Sequence, residues 1–313
     1  MEIFRVHAPG PYTTIQDRGR FDYQHMGVPP SGALDPFAHT TANLLVGNEP
    51  DCATLEITFF GPHLEVLDTA DIAVTGAEME WRVNDQPAPQ WTSLRVVQGD
   101  RIQFGQALRG CRAYLAVTGG FAVAPVMGSR STLVSAGLGG IDGRAIQAGD
   151  LLPRGPGLLL ARQRRMPWYP RYAAQIHLRA VPGPQDECFT GGLETFFSSV
   201  FTVSDKANRM GYRLQGPLVA RKADAPQSII SEPSVPGNVQ IPPDGQPIIL
   251  MVEQTIGGYT KIATVVTADL FKIAQARPGD QIRFHSVTLD RAHALYREWL
   301  DHLQNVREAL SVQ

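Results

Sequence analysis

Short runs of apolar and β-branched residues, separated by glycine and proline, recur along most of the chain. Such runs, bounded by turn residues, are typical of β-strands. The pattern therefore predicts a mainly β protein, and a doubly wound α/β fold is disfavoured because long helices do not alternate with the strands. The predicted strands are Ile3–Val6, Tyr12–Ile15, Thr54–Phe60, Leu64–Leu67, Ile72–Val74, Glu80–Val83, Leu94–Val97, Ile102–Phe104, Tyr114–Val117, Ile176–Val181, Ser199–Val203, Ile248–Val252 and Ile282–Phe284.

A few segments instead predict helices. Asp35 is suited to cap the first helix, Pro36 to occupy its first position and Gly47 to end it, so a helix is predicted over Pro36–Val46. Short helices are predicted near Leu193–Phe197 and, capped by Thr267, over Ala268–Gln275. An amphipathic helix after Thr288 is expected to cover an open barrel end rather than to meet a partner. Its apolar stripe is Leu295, Trp299, Leu303, Val306 and Leu310.

Length and internal repetition favour two β domains. A chain of 313 residues is too long for one small core. A segment rich in proline, glycine and arginine predicts a linker at 154–170, between an N-terminal domain at 1–153 and a C-terminal domain at 171–313. The turn and strand GDRIQF at Gly99–Phe104 recurs as GDQIRF at Gly279–Phe284, 279 − 99 = 180 residues later. This repeat supports two related β domains.

Composition and charge exclude several classes of function. Hydrophobic residues (43%) and charged residues (19%) are those of an ordinary globular protein, and the net charge of −2 gives no footprint for nucleic acid. The three cysteines and eight histidines show neither a disulfide framework nor metal-ligand spacing, so no metal is expected. No secretory signal or long apolar run is present, which predicts a cytoplasmic protein with no membrane contact. Phosphate-loop, dinucleotide and nucleophile-elbow motifs are absent.

The stretch at 236–266 carries the most unusual chemistry. An apolar strand leads into Glu253, Gln254 and then the glycine pair Gly257-Gly258, which Tyr259 and Lys261 follow. Adjacent glycines allow a ligand or another backbone to approach closely. A carboxylate, an amide, a phenol and an amine around them suffice to orient a small polar molecule. The alternative is a hairpin whose polar side chains face water.

Two further regions are candidates in the first half of the chain. The loop from Gln24 to Asp35 is long, polar and rigid, and such loops are often functional, although a structural loop is the alternative. Glu56 lies in an apolar strand, so it is expected to face the core or a pocket and to pair with Arg18, Arg20 or Arg130. Two serines beside Gly128 and Arg130 form a plausible anion cradle.

Several of these segments resemble one known family, and they span nearly the whole chain. They are YTTIQDRGR, YQHMGVPPSGALD, ANLLVGN, ATLEIT, RAYLAVTGG, PVMGSRST, NRMGYRLQGP, VPGNVQIPPDGQPIIL and QTIGGYTKIATV. The sequence resembles the biotin-dependent carboxyltransferase / allophanate hydrolase subunit 2 family, and within it the group of bacterial 5-oxoprolinase C subunits. The resemblance implies two cyclophilin-like β-barrel domains. Two departures from the family pattern, Val252-Glu253 and Ile256, lie in the candidate site and affect the choice of substrate more than the fold.

The resemblance also implies a function and partners. Such a chain acts in a hetero-oligomer with the B component of the same system, and with the A component for the full reaction. The complete system is an ATP-dependent 5-oxoprolinase that opens 5-oxo-L-proline to L-glutamate. The alternatives within the family are a carboxyltransferase component of a biotin-dependent urea carboxylase/allophanate system and a non-catalytic regulator that binds a kinase-inhibitor-like partner.

The missing motifs bear on where the cofactors of such a system bind. The chain lacks a phosphate loop, so ATP is expected to bind mainly to the partner or at the interface. It also lacks a Met-Lys-Met biotin attachment sequence, so any biotin would belong to a partner.

The resemblance and the residue chemistry together give a set of expected site residues, although none of them is assigned as the catalytic group. Cations and amides are expected to bind the substrate or its phosphate, because phosphoryl transfer requires positioned positive charge and hydrogen-bond donors. The expected binding residues are Arg130, Arg209, Arg213, Gln240, Gln254, Tyr259 and Lys261, with Gln24, Asp35 and Glu56 as secondary candidates.

Overall fold

Strands dominate the secondary structure, as the alternating pattern predicts. The computed structural model describes residues 1–189 and 191–311. Contacts divide the chain into two units: the first contains Met1–Phe21, Ser31–Tyr172 and the chain from Leu303 onward, and the second contains Asp22–Pro30 and Ala173–His302. No helix in the described part of the chain is long and apolar enough to cross a membrane.

The first unit is built on a half-barrel sheet of nine strands. These are β1 (Glu2–Ala8), β2 (Tyr12–Gln16), β3 (Thr54–Thr58), β4 (His63–Val66), β5 (Ala70–Val83), β6 (Gln86–Pro87), β7 (Ser93–Val96), β8 (Arg101–Val117) and β9 (Leu151–Pro153). The sheet runs in the order β2-β3-β8-β4-β1-β9, and β5 pairs with β6, β7 and β8. Apolar side chains of these strands form a continuous core, with Phe4, Leu55 and Leu115 fully buried in it.

The two longest strands correct the predicted pattern. Ile72–Val74 and Glu80–Val83 are one strand, β5, and Ile102–Phe104 and Tyr114–Val117 are one strand, β8. The residues between these segments resemble turns, but β5 and β8 stay paired through them with shifts of register near Gly76 and Met79. Gly76 has φ +87°, and a β-carbon there would collide with the carbonyl of Arg112. A glycine at such a bulge therefore bends a strand without ending it.

Helix α1 (Pro36–Leu45) packs against this sheet. Its N-cap is Asp35, whose Oδ1 accepts a hydrogen bond from the Ala38 N–H at 3.0 Å, and Pro36 stands at its first position, as predicted. The helix buries Phe37 and Leu45 in a cluster that also contains Trp91 and Leu310.

Residues 154–170 belong to the first unit and are bound to it at several points. The Arg164 carbonyl accepts from the Ser93 N–H at 2.8 Å, the Leu160 N–H donates to the Asp71 carboxylate at 2.6 Å, and Met166 is buried. The segment predicted as a linker therefore has partners along its length.

The second unit contains a closed barrel of seven strands. The second unit as a whole has nine strands among the described residues: β10 (Gln175–Pro182), β11 (Val200–Val203), β12 (Gly211–Gln215), β13 (Glu232–Pro233), β14 (Asn238–Gln240), β15 (Ile248–Leu250), β16 (Ile256–Gly257), β17 (Lys261–Val265) and β18 (Gln281–Ser286). The barrel order is β10-β17-β14-β15-β12-β11-β18, and the parallel pair β10–β18 closes it. Strands β13 and β16 form a separate two-stranded ribbon, called the ribbon below.

Three helices complete the described chain: α2 (Gly192–Ser198), α3 (Leu270–Ala274) and α4 (Leu289–Ser311). The predicted helix at Ala268–Gln275 begins later than expected: a 3-10 turn at Thr267–Asp269 precedes α3, and no side chain caps that turn. In α4 the predicted apolar stripe packs against the protein: buried Leu295 and half-buried Trp299 pack with Val266 in the second unit, and buried Val306 and Leu310 and half-buried Leu303 pack in the first. Thr288 Oγ1 accepts from the Arg291 N–H at 3.2 Å, as expected of a cap.

The Gly-Asp repeat seen in the sequence is one turn used three times. At each site a glycine with positive φ precedes an aspartate that accepts the backbone N–H of the residue three positions earlier, and a strand follows. The three donor–acceptor pairs are Val97–Asp100 (2.8 Å), Gln147–Asp150 (2.7 Å) and Arg277–Asp280 (2.8 Å), with glycine φ values of 91°, 91° and 92°. The sequence pattern reveals the first and third copies and not the middle one.

Candidate functional site

Four side chains of the second unit lie in one row across the outside of the barrel. Arg213 is directly opposite Ile248, Ile248 opposite Gln240, and Gln240 opposite Lys261. Directly opposed residues of antiparallel strands share a face. The neighbours Tyr212, Val239 and Ile249 are fully buried and fill the barrel, so the row faces outward.

The ribbon covers one end of this row. Arg213 is exposed, whereas only 4% of Gln240 and 2% of Lys261 is accessible to solvent. A β-carbon on Gly257, in the ribbon, would collide with the Gln240 side-chain amide, so the absence of a side chain there allows the ribbon to lie directly on Gln240. The predicted close approach at the glycine pair is thus an approach of the chain's own backbone.

Lys261 is held by an ion pair and two further contacts. Its Nζ donates to Glu232 Oε1 at 2.5 Å and to the Pro233 carbonyl at 3.3 Å, both on the ribbon. Gln185 Nε2 donates to the same Glu232 oxygen at 3.0 Å, and Gln185 Oε1 accepts the Lys261 backbone N–H at 2.9 Å. The hydrogen bonds from Lys261 and then from Gln185 lower the pKa of Glu232, so this carboxylate is ionised at neutral pH.

Gln240 brings an unsatisfied donor to the same place. Its Nε2 is buried and has no hydrogen-bond partner among the residues that the structure describes. A buried amide without a partner is unfavourable by about 1–3 kcal/mol, and such groups are uncommon in folded proteins. The site therefore combines an ammonium, a carboxylate and an available amide N–H, which can bind a carbonyl or carboxylate oxygen.

The other predicted residues of this unit lie around this cluster with different partners. Arg209 is buried and its Nε pairs with Glu253 Oε1 at 2.5 Å, so its charge is already balanced. Gln254 Nε2 donates to the Ile256 carbonyl at 2.5 Å, and Tyr259 is 39% exposed. The strands of Arg213 and Lys261 are separated by three inter-strand spacings of about 4.8 Å, so their Cα atoms are roughly 14 Å apart.

Two members of the cluster are not evident from the sequence. Glu232 lies just before the stretch at 236–266, in a ribbon of two-residue strands that no periodic pattern reveals. Gln185 follows Gly183-Pro184, and no motif around it in the sequence marks it as a site residue. A buried lysine requires a carboxylate nearby, but the sequence did not predict that Lys261 is buried, so no signal pointed to Glu232.

In the first unit the predicted anion cradle is already occupied by a carboxylate of the chain. Asp17 Oδ1 accepts from the hydroxyls of Ser129 (2.6 Å) and Ser131 (2.5 Å), and Oδ2 accepts from the Arg130 N–H at 2.6 Å. Burial opposes ionisation of Asp17, but these hydrogen bonds outweigh it and lower its pKa. The Arg130 side chain donates from Nε to the Val123 carbonyl at 3.0 Å. The two serines therefore bind a carboxylate of the chain itself, and the assignment of Arg130 to substrate binding stays a prediction.

Glu56 is fully buried, as alternation predicts, but its cationic partner is Arg112. Glu56 Oε2 accepts from Tyr114 Oη at 2.8 Å and from the Leu34 N–H at 3.0 Å, and Arg112 Nε lies 3.6 Å from Oε1. The predicted partners were wrong because β3 and β8 pair, which brings Arg112 and Tyr114 beside Glu56.

The remaining secondary candidates have simpler roles. Asp35 caps α1, and its Oδ2 accepts from Tyr172 Oη at 2.8 Å. Gln24 lies exposed in a short 3-10 turn, Gln24–Met26, and groups with the second unit. Among the described residues no three His, Cys, Asp or Glu side chains come close enough to hold a metal ion.

Similarity to known proteins agrees with this architecture. The family described as carboxyltransferase domain, subdomain A and B, matches residues 26–286, which is most of the chain. The chain belongs to this carboxyltransferase family. Within the family, the C subunit of 5-oxoprolinase from Escherichia coli (strain K12) is 38% identical over 298 residues, covering 93% of each chain. Its counterpart from Haemophilus influenzae is 35% identical over 296 residues, 94% of each.

A solved structure has the same fold over nearly all of this chain. The structure of the K. lactis urea amidolyase superposes with a TM-score of 0.89 at 30% identity, covering 98% of this chain and 20% of that one. The chain thus spans about a fifth of that protein. The family resemblance inferred from the sequence motifs is confirmed.

Proposed function

We propose that the chain is one component of an ATP-dependent 5-oxoprolinase that activates 5-oxo-L-proline for ring opening to L-glutamate, together with the B and A components of that system. The observation that carries this proposal is the similarity to the C subunits of 5-oxoprolinase along nearly the full length of both chains. The substrate is proposed to bind beside Lys261 and Gln240 on the outside of the barrel.

The chemistry of this cluster suits a lactam bearing a carboxylate. A lactam carbonyl is a poor electrophile, and it becomes reactive when its oxygen is phosphorylated. The Gln240 Nε2–H donates to a lactam or carboxylate oxygen, and the Lys261 ammonium stabilises negative charge on the substrate. Positioning and charge stabilisation are the main protein contributions to phosphoryl transfer.

ATP is proposed to bind mainly on a partner protein. The sequence has no phosphate loop, and the two buried cations of the site, Lys261 and Arg209, already pair with Glu232 and Glu253. Arg213 is exposed on the same barrel face and is the cation proposed to meet a phosphate brought by the partner. We therefore expect the isolated chain to be inactive.

The decisive experiment uses the enzyme reconstituted from all three components. Lys261→Ala is expected to lower 5-oxo-L-proline-dependent ATP hydrolysis at least about tenfold, which corresponds to about 1.4 kcal/mol of transition-state stabilisation. Arg213→Ala is expected to lower it as well, whereas Lys206→Ala, on an exposed loop, is the matched control and is expected to keep full activity. Thermal melts and co-purification check folding and partner binding. Turnover by the isolated chain, or full activity of both site variants, would contradict the proposal.

A carboxyltransferase role is the second candidate, because the part of the K. lactis urea amidolyase that matches this chain has the same fold. That role requires biotin on a partner. It predicts that urea replaces 5-oxo-L-proline in the assay and that avidin inhibits turnover. A purely regulatory role predicts stable binding to a partner with no turnover of either substrate.

A further inference from the structure

Lys261 cannot contact a ligand while the ribbon lies in the position described. Only 2% of the residue is accessible, and two of its three N–H donors point to Glu232 and Pro233 of the ribbon. The same ribbon lies on Gln240 through Gly257. A substrate that uses both side chains therefore has to replace contacts that the ribbon now makes.

Glu232 is the member of the ion pair that can leave. Its side chain is 38% exposed, against 3% for Lys261, so a displaced carboxylate is readily hydrated whereas the lysine would stay buried. The ribbon that carries it has strands of two residues, paired through Glu232–Gly257 and Pro233–Ile256, with one further backbone hydrogen bond on each side, Ile229–Gly258 at 2.8 Å and Ser234–Thr255 at 2.9 Å. Ile230 and Ile256 expose 93% and 53% of their surfaces, so little apolar burial holds the ribbon down.

We propose that Glu232 occupies the place of a ligand carboxylate at Lys261, and that the ligand enters by displacing it and lifting the ribbon. This inference rests on the proposed placement of the substrate site at Lys261. The exchange replaces one carboxylate by another, so the buried ammonium keeps an anionic partner throughout. A neutral ligand such as urea would leave Lys261 without one. The site therefore takes a small carboxylate whose second oxygen-bearing group accepts the Gln240 N–H.

Chemical labelling of lysine tests the displacement directly. The chain has four lysines, Lys206, Lys222, Lys261 and Lys272, so acylation by an N-hydroxysuccinimidyl acetate can be followed at each by mass spectrometry of the full-length chain. In the wild type, Lys261 is expected to react far more slowly than the exposed Lys206 and Lys222. In Glu232→Gln the Lys261 rate is expected to rise at least about tenfold, because the anionic partner that holds the ribbon is gone. Glu298→Gln, at an exposed ion pair elsewhere, is the matched control and leaves Lys261 protected.

Ligand protection tests the chemical class. 5-Oxo-L-proline and acetate are expected to slow Lys261 labelling in Glu232→Gln at concentrations about tenfold lower than in the wild type, because Glu232 no longer competes. 2-Pyrrolidinone, which is the same lactam without the carboxylate, and urea are expected to give no such protection. Lys272, which pairs with Asp269 away from the site, reports any general effect of the ligand.

Two results would overturn the inference: a Lys261 rate in Glu232→Gln equal to that of the wild type, or equal protection by the neutral and the carboxylate ligands. If Glu232→Gln does not fold, the wild-type comparison of 5-oxo-L-proline with 2-pyrrolidinone decides between the same alternatives. Carboxylate protection without 5-oxo-L-proline-dependent ATP hydrolysis in the reconstituted enzyme would refute the proposed function and leave the displacement standing. Conversely, 5-oxo-L-proline-dependent ATP hydrolysis together with equal Lys261 labelling in Glu232→Gln and the wild type would support the proposed function and refute the displacement.

Discussion

Asp269 and Glu298 show how differently two carboxylates contribute when one is buried and the other exposed. Asp269 is fully buried, accepts two hydrogen bonds from the Arg179 guanidinium at 2.6 and 2.9 Å, and lies 2.8 Å from Lys272 Nζ. Glu298 pairs with Arg291 at a similar 2.7 Å, but more than half of each side chain is exposed. Water screens the second pair more strongly than the first, so similar distances carry different free energies.

Replacing each carboxylate by an amide is expected to lower the free energy of unfolding by different amounts. Asp269→Asn is expected to lower the free energy of unfolding by about 2–3 kcal/mol, because it removes charged hydrogen bonds from a buried position. Glu298→Gln is expected to lower it by less than about 1 kcal/mol. Urea unfolding at neutral pH measures both. Equal losses in the two variants would contradict this effect of burial.

The stabilisation from Asp269 should also depend on pH. Burial alone would raise the pKa of Asp269, but the Arg179 and Lys272 contacts outweigh it and lower the pKa below its ordinary value of 3.8. A carboxyl group with a lowered pKa in the folded state stabilises the protein above its unfolded pKa and loses that contribution as pH falls through the folded one. The stability difference between the wild type and Asp269→Asn is therefore expected to be full at pH 7 and to shrink below about pH 4. Urea unfolding at the two pH values tests it, and a difference that grows in acid would refute the assignment.

The burial of a side chain is easier to predict from the sequence than the residue with which it pairs. Alternation along an apolar strand correctly placed Glu56 in the core. It could not identify Arg112, because the partner depends on which strands pair and in which register. The same limit explains the anion cradle, whose two serines bind Asp17 from a loop more than a hundred residues earlier.

At the scale of elements, helix α4 shows which predictions from sequence are secure. Its apolar stripe is long and regular, and in the structure this stripe packs against the apolar clusters of both units, as the spacing predicts. Strands β5 and β8 were each predicted as two pieces, because their central residues have no clear alternation and only the pairing between them keeps them extended. Lys261 and Gln240 could be placed in a candidate site from the sequence. Glu232 could not, because the two-residue strands of the ribbon have no periodic pattern.

Two leucines of α4 test the importance of this stripe. Leu310 is fully buried in the first unit and Leu300 is 42% exposed. Leu310→Ala is expected to lower the free energy of unfolding by about 2–4 kcal/mol, since it removes buried methyl groups and leaves a cavity. Leu300→Ala is the matched control, with an expected loss below about 1 kcal/mol. Thermal or urea unfolding measures both, and a negligible loss for Leu310→Ala would show that the end of α4 is not part of the core.

At the scale of the whole molecule, each unit is assembled from separated parts of the chain. The first unit combines residues on both sides of the segment 173–302, and the second includes the short segment Asp22–Pro30. Division of the chain into two consecutive pieces would therefore remove a part of each unit. The continuous domains predicted from the sequence could not reveal this arrangement, because composition marks linkers and does not mark which distant segments pack together.

A truncation tests this arrangement. A chain that ends at His302 is expected to lose the contributions of Val306 and Leu310 to the first unit, whose cluster with Phe37 and Trp91 then becomes accessible to water. Increased binding of a hydrophobic dye and a red shift in tryptophan emission are the expected results. A chain that ends at Ser311 is the control. Native emission and no dye binding after truncation at His302 would contradict the prediction.

The composite first unit also has a consequence for synthesis on the ribosome. Residues 303–310 that complete its apolar cluster follow Tyr172 by 302 − 172 = 130 intervening residues. At about 5–20 residues per second, the ribosome needs roughly 7–26 s to add them. During that interval the nascent half-barrel lacks Val306 and Leu310, which complete the apolar cluster of Phe37 and Trp91. A chaperone that binds exposed apolar surface therefore has its longest access to this protein between the emergence of Tyr172 and that of Leu310.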